Sequence, residues 1–367
     1  MTQRYIFHGT AARADELREF VEHLLAANLD AEANGRQKTP ICIWGTHGIG
    51  KTQIVEQIAR ERGYAFTYIA PAQFEEMGDL IGMPQIDGDR TVFRPPAWVP
   101  IDDGPGVLLI DDANRADDRI LRGIMQLLQN YELVSWRLPP RWQIVLTANP
   151  DGGDYSVTPM DDAMLTRLAH VTLEFDVAAW ARWAERNSVD PRGIDFVLTC
   201  PEAITGRRTT PRTLVQFFES IRGIPDLQAR LGLVRMLADA CLDESTVAAF
   251  VSFVNQGLAA LIQPAALLAA RDFSREVEAP LRRVADGQTL RVDILATVCT
   301  RLVNHLRGRP PLDATALANL KAYLALDLLP KDLRVALARD LLAEGGPAIK
   351  PLLADRDIGK LLIAARR

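Results

Sequence analysis

The chain of 367 residues has only four cysteines, and Cys42, Cys200, Cys241 and Cys299 lie too far apart to form a CxxC motif. The five histidines, His8, His23, His47, His170 and His305, are equally scattered, so no zinc-ligand spacing occurs. Such sparse cysteine use fits reduced, buried thiols in the cytoplasm. A strong excess of one charge is missing too: 42 basic residues face 47 acidic ones, a net of −5. That balance weighs against a protein that coats nucleic acid through general positive charge, and it leaves room for a local patch. Long apolar runs are lacking. Residues 245–270 carry no charge, yet Ser252, Asn255, Gln256, Gly257, Gln263 and Pro264 interrupt them. A membrane-spanning helix needs ~20 apolar residues. Two buried helices broken near Pro264 are expected instead, with no membrane association. The opening Met-Thr-Gln-Arg-Tyr shows none of the basic-then-apolar pattern of a secretory leader.

What is present is ordinary globular composition, 48% hydrophobic and 24% charged. At ~150 residues per domain, two or three domains are expected. Residues 11–30 read as an amphipathic helix with Leu17, Phe20, Val21, Leu24 and Leu25 on one face. Apolar runs at 41–44, 65–70, 106–110, 143–148 and 169–173 read as strands. Helical patterns at 51–62 and 117–129 lie between them. Strands alternating with helices predict a five-stranded parallel sheet covered on both faces. Past residue 176 the strand signal stops, and Trp180, Trp183, Phe196, Leu214, Phe217 and Phe218 fall in helical patterns. The expected division is a helical leader at 1–38, an α/β core at 39–175, a helical lid at 176–275 and a helical extension at 276–367. In the extension Leu302, Val303 and Leu306 share one helix face. Leu317, Leu320, Leu324 and Leu328 share another. Docking a partner, thickening an assembly, or packing against the lid all fit that pattern.

Gly45-Thr46-His47-Gly48-Ile49-Gly50-Lys51-Thr52 follows the first core strand, opens a helix and matches GxxxxGK[ST] in full. Glycines let backbone N–H groups turn toward phosphates with no Cβ in the way. The helix N-terminus adds positive partial charge. Lys51 would reach the β- and γ-phosphates of ATP, and the Thr52 hydroxyl would ligate Mg²⁺. The apolar strand Val107-Leu108-Leu109-Ile110 ends in Asp111-Asp112. Asp111 would hold Mg²⁺, directly or through water, and Asp112 would polarise the attacking water. Thr147-Ala148-Asn149-Pro150 closes another apolar strand. There Asn149 either orients the water or simply makes an Asn-Pro turn.

Together these residues resemble the AAA+ ATPases, and within them the MoxR-like, dynein-related branch. The likeness runs from about residue 40 to 220. The loop 45–52 resembles Walker A, and residues 108–112 resemble Walker B. Asp111-Asp112-Ala113-Asn114-Arg115-Ala116 is similar to the family's D-E-I-N-R-A segment. Asn149 stands where sensor 1 would be. Asp161-Asp162-Ala163-Met164-Leu165-Thr166-Arg167 resembles the segment ending in the arginine finger. Thr210-Pro211-Arg212 resembles the sensor 2 motif, with Arg207 and Arg208 as competitors for its role. Residues 74–85 resemble the MoxR stretch after the second strand. An inserted hairpin is expected at 85–94 around Asp87-Gly88. A second is expected from Leu133 to Trp136 through a Pro139-Pro140 turn. The family has Glu where this chain has Asp112, one methylene shorter, so hydrolysis is expected to be slow unless the site adjusts.

The resemblance implies that Arg167 completes a neighbour's site, as a guanidinium supplied in trans is worth roughly 10³–10⁵ in rate. It also implies a homo-oligomeric ring of six subunits that remodels a client protein, one with a von Willebrand factor A domain. The alternatives are a surface role for Arg167, a salt bridge for Arg212, and an interface role for Arg115. At the level of function they are a McrB-like motor linked to nucleic acid, or a nucleotide-gated scaffold with little turnover. The acidic balance weighs against the nucleic-acid reading.

Overall fold

The computed structural model of the chain describes residues 6–151, 157–204, 206–287 and 289–353. The opening five residues, which a leader pattern would occupy, lie outside the described residues, as does the end of the extension. The chain divides into two compact units, Met1–Asp176 and Val177–Arg367.

In the first unit the described strands are β1 (Thr10–Ala12), β2 (Ile41–Trp44), β3 (Ala65–Ile69), β4 (Met83–Asp87), β5 (Arg90–Arg94), β6 (Gly106–Ile110), β7 (Glu132–Leu133), β8 (Trp136–Arg137), β9 (Trp142–Ala148) and β10 (Ala169–Leu173). Six form one sheet in the order β1-β10-β2-β9-β6-β3, and every neighbouring pair is parallel. β2, β6 and β9 are buried along their whole length. Strands covered on both faces need such unbroken apolar runs. Alternate residues feed two cores. Trp44, Leu108, Ile110, Ile144 and Leu146 pack with Ile120, Ile124, Leu127 and Leu128 of the helix Asp118–Asn130. Ile41, Ile43, Val107, Leu109 and Val145 pack on the other face with Leu17, Val21, Leu25, Val55 and Ile58. Each such side chain contributes ~1.5–3 kcal/mol on burial. Asp117 caps the helix Asp118–Asn130 by accepting the Ile120 N–H at 2.9 Å.

All five expected strands are present. The sheet gains a sixth, β1, and the first helix runs Ala14–Ala33 rather than from residue 11. Thr10-Ala11-Ala12 offers no apolar run. It becomes a strand only because β10 presents a free edge, with Thr10 opposite Val171.

Two hairpins rise from the sheet connections. β4 and β5 pair around Gly88-Asp89, one residue later than the expected Asp87-Gly88 turn. The second hairpin differs more. β7 and β8 turn at Val134-Ser135, not at Pro139-Pro140, and Val134 adopts φ 48°. The prolines instead shape the approach to β9: the Pro140 carbonyl accepts the Gly104 N–H at 2.8 Å. Ser135 Oγ accepts the Phe93 N–H at 3.0 Å, which ties the two hairpins together.

The second unit has no strand among its described residues. Its centre is an aromatic cluster of Phe196, Phe217, Phe218, Phe250 and Phe253, all buried. Phe217 and Phe250 meet edge to face at 4.8 Å, and Phe196 and Phe250 at 5.0 Å. Such pairs add ~0.5–1.5 kcal/mol beyond burial. Trp180 packs on Phe218, while Trp183 is half-buried. Helices Glu244–Asn255 and Pro264–Ala269 flank the expected break, with Pro264 opening the second. Among the described residues no helix is long and apolar enough to cross a membrane. The extension packs into this unit. Leu302 and Leu306 are fully buried, and Asn319 donates to the carbonyls of Leu268 (2.9 Å) and Ala270 (2.8 Å).

Candidate functional site

The order of the sheet assembles the site. β2 lies beside β9, and β9 beside β6, with Trp44 opposite Ala148 and Ile110 opposite Leu146. The residues that follow each strand therefore share one edge. A Cβ on Gly45 would stand 3.1 Å from the Leu173 carbonyl oxygen, a tight approach, and the backbone there, at φ 156°, favours glycine. Gly50, at φ 103°, precedes the helix Lys51–Glu61. Among the described residues, the backbone N–H groups of Gly48, Ile49, Gly50, Lys51 and Thr52 have no hydrogen-bond acceptor. A run of open amides at a helix start is an anion-binding cradle.

Lys51 is buried, and its ammonium donates to the carbonyls of Gly45 (2.7 Å) and Thr46 (3.1 Å) and to Asn149 Oδ1 (3.2 Å). Desolvation lowers its pKa from 10.5 to about 8, against the pull of Asp112 and Asp111 in the other direction. His47, inside the same loop, is exposed.

Asp111 Oδ1 accepts from the hydroxyls of Thr52 (2.7 Å) and Thr147 (2.6 Å), and its Oδ2 from Tyr68 (3.3 Å). Asp112 takes a left-handed conformation at φ 48°, which aspartate tolerates better than most residues. Its Oδ1 accepts from Asn149 Nδ2 at 3.0 Å, and its Oδ2 lies 3.3 Å from Arg115 Nε. Asn149 is fully buried and so joins Lys51 to Asp112 through the two ends of one amide. Asn114 fixes it in place. It donates to the Asn149 carbonyl at 2.8 Å and accepts the Asn149 N–H at 3.0 Å. Lys51, Thr52, Asp111, Asp112 and Asn149 thus form one hydrogen-bonded set. Thr147, Asn114 and Tyr68 join it without having been assigned a role from sequence. A polar Thr after the apolar run Ile144-Val145-Leu146 was the signal for Thr147.

The arginines lie elsewhere. Arg167 precedes β10, whose Ala169 pairs with Ile41 at the start of β2. The phosphate loop follows the other end of β2. In register Arg167 falls level with residue 39, six positions or ~20 Å from Gly45. Its Nε donates to Gln129 Oε1 at 3.3 Å and its Nη1 bonds the Ala163 carbonyl. Arg115 faces Asp112 of its own chain. Arg212 belongs to the helical unit, in the first turn of the helix Pro211–Ile221. It is exposed, and its side chain makes no hydrogen bond or ion pair among the described residues. Arg208 is held inside that unit by the carbonyls of Asp239 (2.9 Å) and Ala240 (2.8 Å).

The open amides, the close approach at Gly45 and the Thr52–Asp111 contact fit a triphosphate with its magnesium ion. Mg²⁺ keeps several waters and needs few protein ligands, and Thr52 and Asp111 are the residues that would hold it. A strand–loop–helix cradle on a parallel sheet with an acidic neighbouring strand defines a P-loop nucleotide-binding protein. Residues 40–168 match the family model described as AAA domain (dynein-related subfamily). Over those residues the chain is similar to that family, and it is an ATP-hydrolysing enzyme. The match does not single out the MoxR-like branch.

Among solved structures, a proline-to-glycine mutant of RuvB from Thermotoga maritima is 15% identical, covering 84% of this chain and 97% of that chain at a TM-score of 0.40. The Thermotoga maritima RuvB Holliday junction branch migration motor is 16% identical, with 84% and 96% covered at a TM-score of 0.38. Likenesses this distant carry no argument about substrate. No curated protein matches the chain.

Proposed function

We propose that the chain is a ring-forming AAA+ motor in which each phosphate site is completed by Arg167 of a neighbouring subunit. The observation that carries this is the placement of Arg167 at the opposite edge of the sheet from Lys51, out of reach of its own loop. A head-to-tail contact brings the two edges together, and repeating it closes a ring, with six subunits as the expected number.

In this reading the open amides and Lys51 hold the β- and γ-phosphates of ATP. Mg²⁺, held through Thr52 and Asp111, would neutralise charge on the phosphates. Asp112 polarises the attacking water, and Asn149 positions both Asp112 and Lys51. Water attacks the γ-phosphorus, the bond to the β-phosphate oxygen breaks, and ADP and phosphate leave. Arg167 of the neighbour stabilises the charge that develops, and Arg212 senses the nucleotide from the helical unit.

The work is done on a client through the two hairpins. Met83 and Ile86 are 73% and 81% exposed on the first, and Val134 is 60% exposed at the tip of the second. Asp87, Asp89, Arg90 and Arg94 leave the first hairpin without net charge. Exposed aliphatic groups on a neutral hairpin suit a polypeptide; a phosphodiester backbone is gripped through Lys and Arg. In keeping with the MoxR resemblance, the client proposed is a protein with a von Willebrand factor A domain. A motor on nucleic acid is the rival. ATPase rates with and without duplex and single-stranded DNA, at two salt concentrations, separate them. Stimulation by DNA that fades with salt would overturn the polypeptide reading. A non-hydrolysable ATP analogue should drive assembly to a ring, measured by mass. Full activity in a verified monomer would refute the completed-site model, and an assembled ring without turnover would mark a scaffold.

A further inference from the structure

We propose that a basic cavity in the helical unit binds an acidic peptide segment that also carries aliphatic side chains, supplied by a partner or client protein. The cavity measures about 960 Å³. It is lined by residues of the helices Val177–Arg186, Pro191–Thr199 and Val292–Leu306, and by Arg222 just past the helix Pro211–Ile221. That last helix has 11 residues, so the cavity lies ~16 Å from Arg212 and from the end of the unit expected to sense nucleotide.

Seven arginines line the cavity, against two acids, Glu185 and Asp190. Arg301 forms a buried floor, bonded to Asp195 and to Glu185 at 2.6 Å. Arg192 grips Asp190, Arg222 bonds Glu219, and Arg307 pairs with Glu344 at 3.6 Å. The side chains of Arg186 and Arg309, both exposed, have no hydrogen bond or ion pair among the described residues. Asn304 presents a buried amide nitrogen without an acceptor. It stands beside Glu185, whose carboxyl is pushed up by burial against the pull of Arg301. His305 reports the field: burial first, then Arg309 and Arg301, lower its pKa to about 4.

Two features select the ligand. Guanidinium forks match carboxylates and phosphates equally well. But Val189, Ile194, Ile224 and Leu261 give the cavity an aliphatic wall, and no Phe, Tyr or Trp lines it. Bases would find no Phe, Tyr or Trp face to stack on, whereas Leu or Ile side chains between carboxylates would be buried. The inference rests on the polypeptide reading of the client, and binding is tested without ATP so that the two fail separately.

The full chain is titrated with a fluorescent octapeptide of alternating Glu and Leu, its Gln–Leu counterpart, and a short oligothymidylate. Saturable binding of the Glu–Leu peptide alone is expected. Reversing both rim charges, with Arg186→Glu and Arg309→Glu, should weaken it at least about tenfold. In the unaltered protein, NMR titration of His305 should move upward from about 4 when the peptide binds. Equal binding of both peptides, indifference to the charge reversal, or an unmoved His305 would overturn the proposal. So would preferred binding of oligothymidylate, which would assign the cavity to nucleic acid. A bound peptide together with a DNA-stimulated ATPase would sink the polypeptide client and spare the cavity.

Discussion

Nucleotide binding should take up protons, because Lys51 is held partly neutral in the empty site. Burial takes its pKa from 10.5 to about 8, a displacement equivalent to ~3 kcal/mol against the charged form. Phosphate oxygens placed beside the ammonium favour the charged form and raise the pKa again. At pH 8 about half of the empty sites would then be neutral, so binding takes up about 0.5 proton per site. Uptake grows to about 0.9 at pH 9, and affinity falls toward tenfold per pH unit above 8. The triphosphate itself does not contribute there, since phosphate second ionisations lie near ~6. Calorimetry with a non-hydrolysable ATP analogue, in two buffers of different ionisation heat, measures the uptake directly. Lys51→Arg is the control: guanidinium stays charged throughout, and the uptake should vanish. Equal uptake at pH 8 and pH 9, or uptake that persists in the Arg variant, would refute the reasoning.

Arg167→Ala should preserve nucleotide affinity and lower turnover by roughly 10³–10⁵; mixing it with Asp112→Asn subunits should restore part of the rate, and no rescue in verified mixed rings would count against action in trans. Asn149→Asp keeps the shape but replaces the donor facing Asp112 with a second anion. Single-turnover hydrolysis should drop on the order of 10²-fold or more, and an unchanged rate would remove Asn149 from the mechanism. Acid should weaken the fold partly through His305, whose folded pKa of about 4 lies below its unfolded value. The unfolded chain takes the proton first, so this contribution is intact above ~6.5 and is lost as pH falls toward 4. The full cost is ~3 kcal/mol, discounted to about 1–2 for a half-buried ring. Urea midpoints at pH 7 and pH 4.5 should therefore lie closer together in His305→Gln than in the unaltered chain.

The interior strands and the phosphate loop were legible because each is specified locally. β2 and β6 are continuous apolar runs, β9 carries Ile144-Val145-Leu146 at its centre, and the loop carries its own glycines, lysine and threonine. β1 was not legible. Three small residues acquire strand geometry only from the edge of β10, which is a tertiary fact. The tip of the second hairpin misled for a similar reason. Val134-Ser135 carries no turn signal, while the neighbouring prolines carry a strong one and use it in a different connection. Arg301 and Asp195 stand 106 positions apart, so no local pattern announces their contact. Within the site, Lys51, Thr52, Asp111 and Asp112 could be named from motifs. The clamp on Asn149 depends on two strand ends meeting, and only the sheet order supplies that.

Thr147 has a single hydroxyl proton, and the sheet commits it to Asp111. The lone pairs of the same oxygen receive the backbone of Asp112. One atom on a rigid strand therefore sets the bearing of two consecutive acidic residues, and any ion or water held between them would meet a geometry that the chain has already imposed.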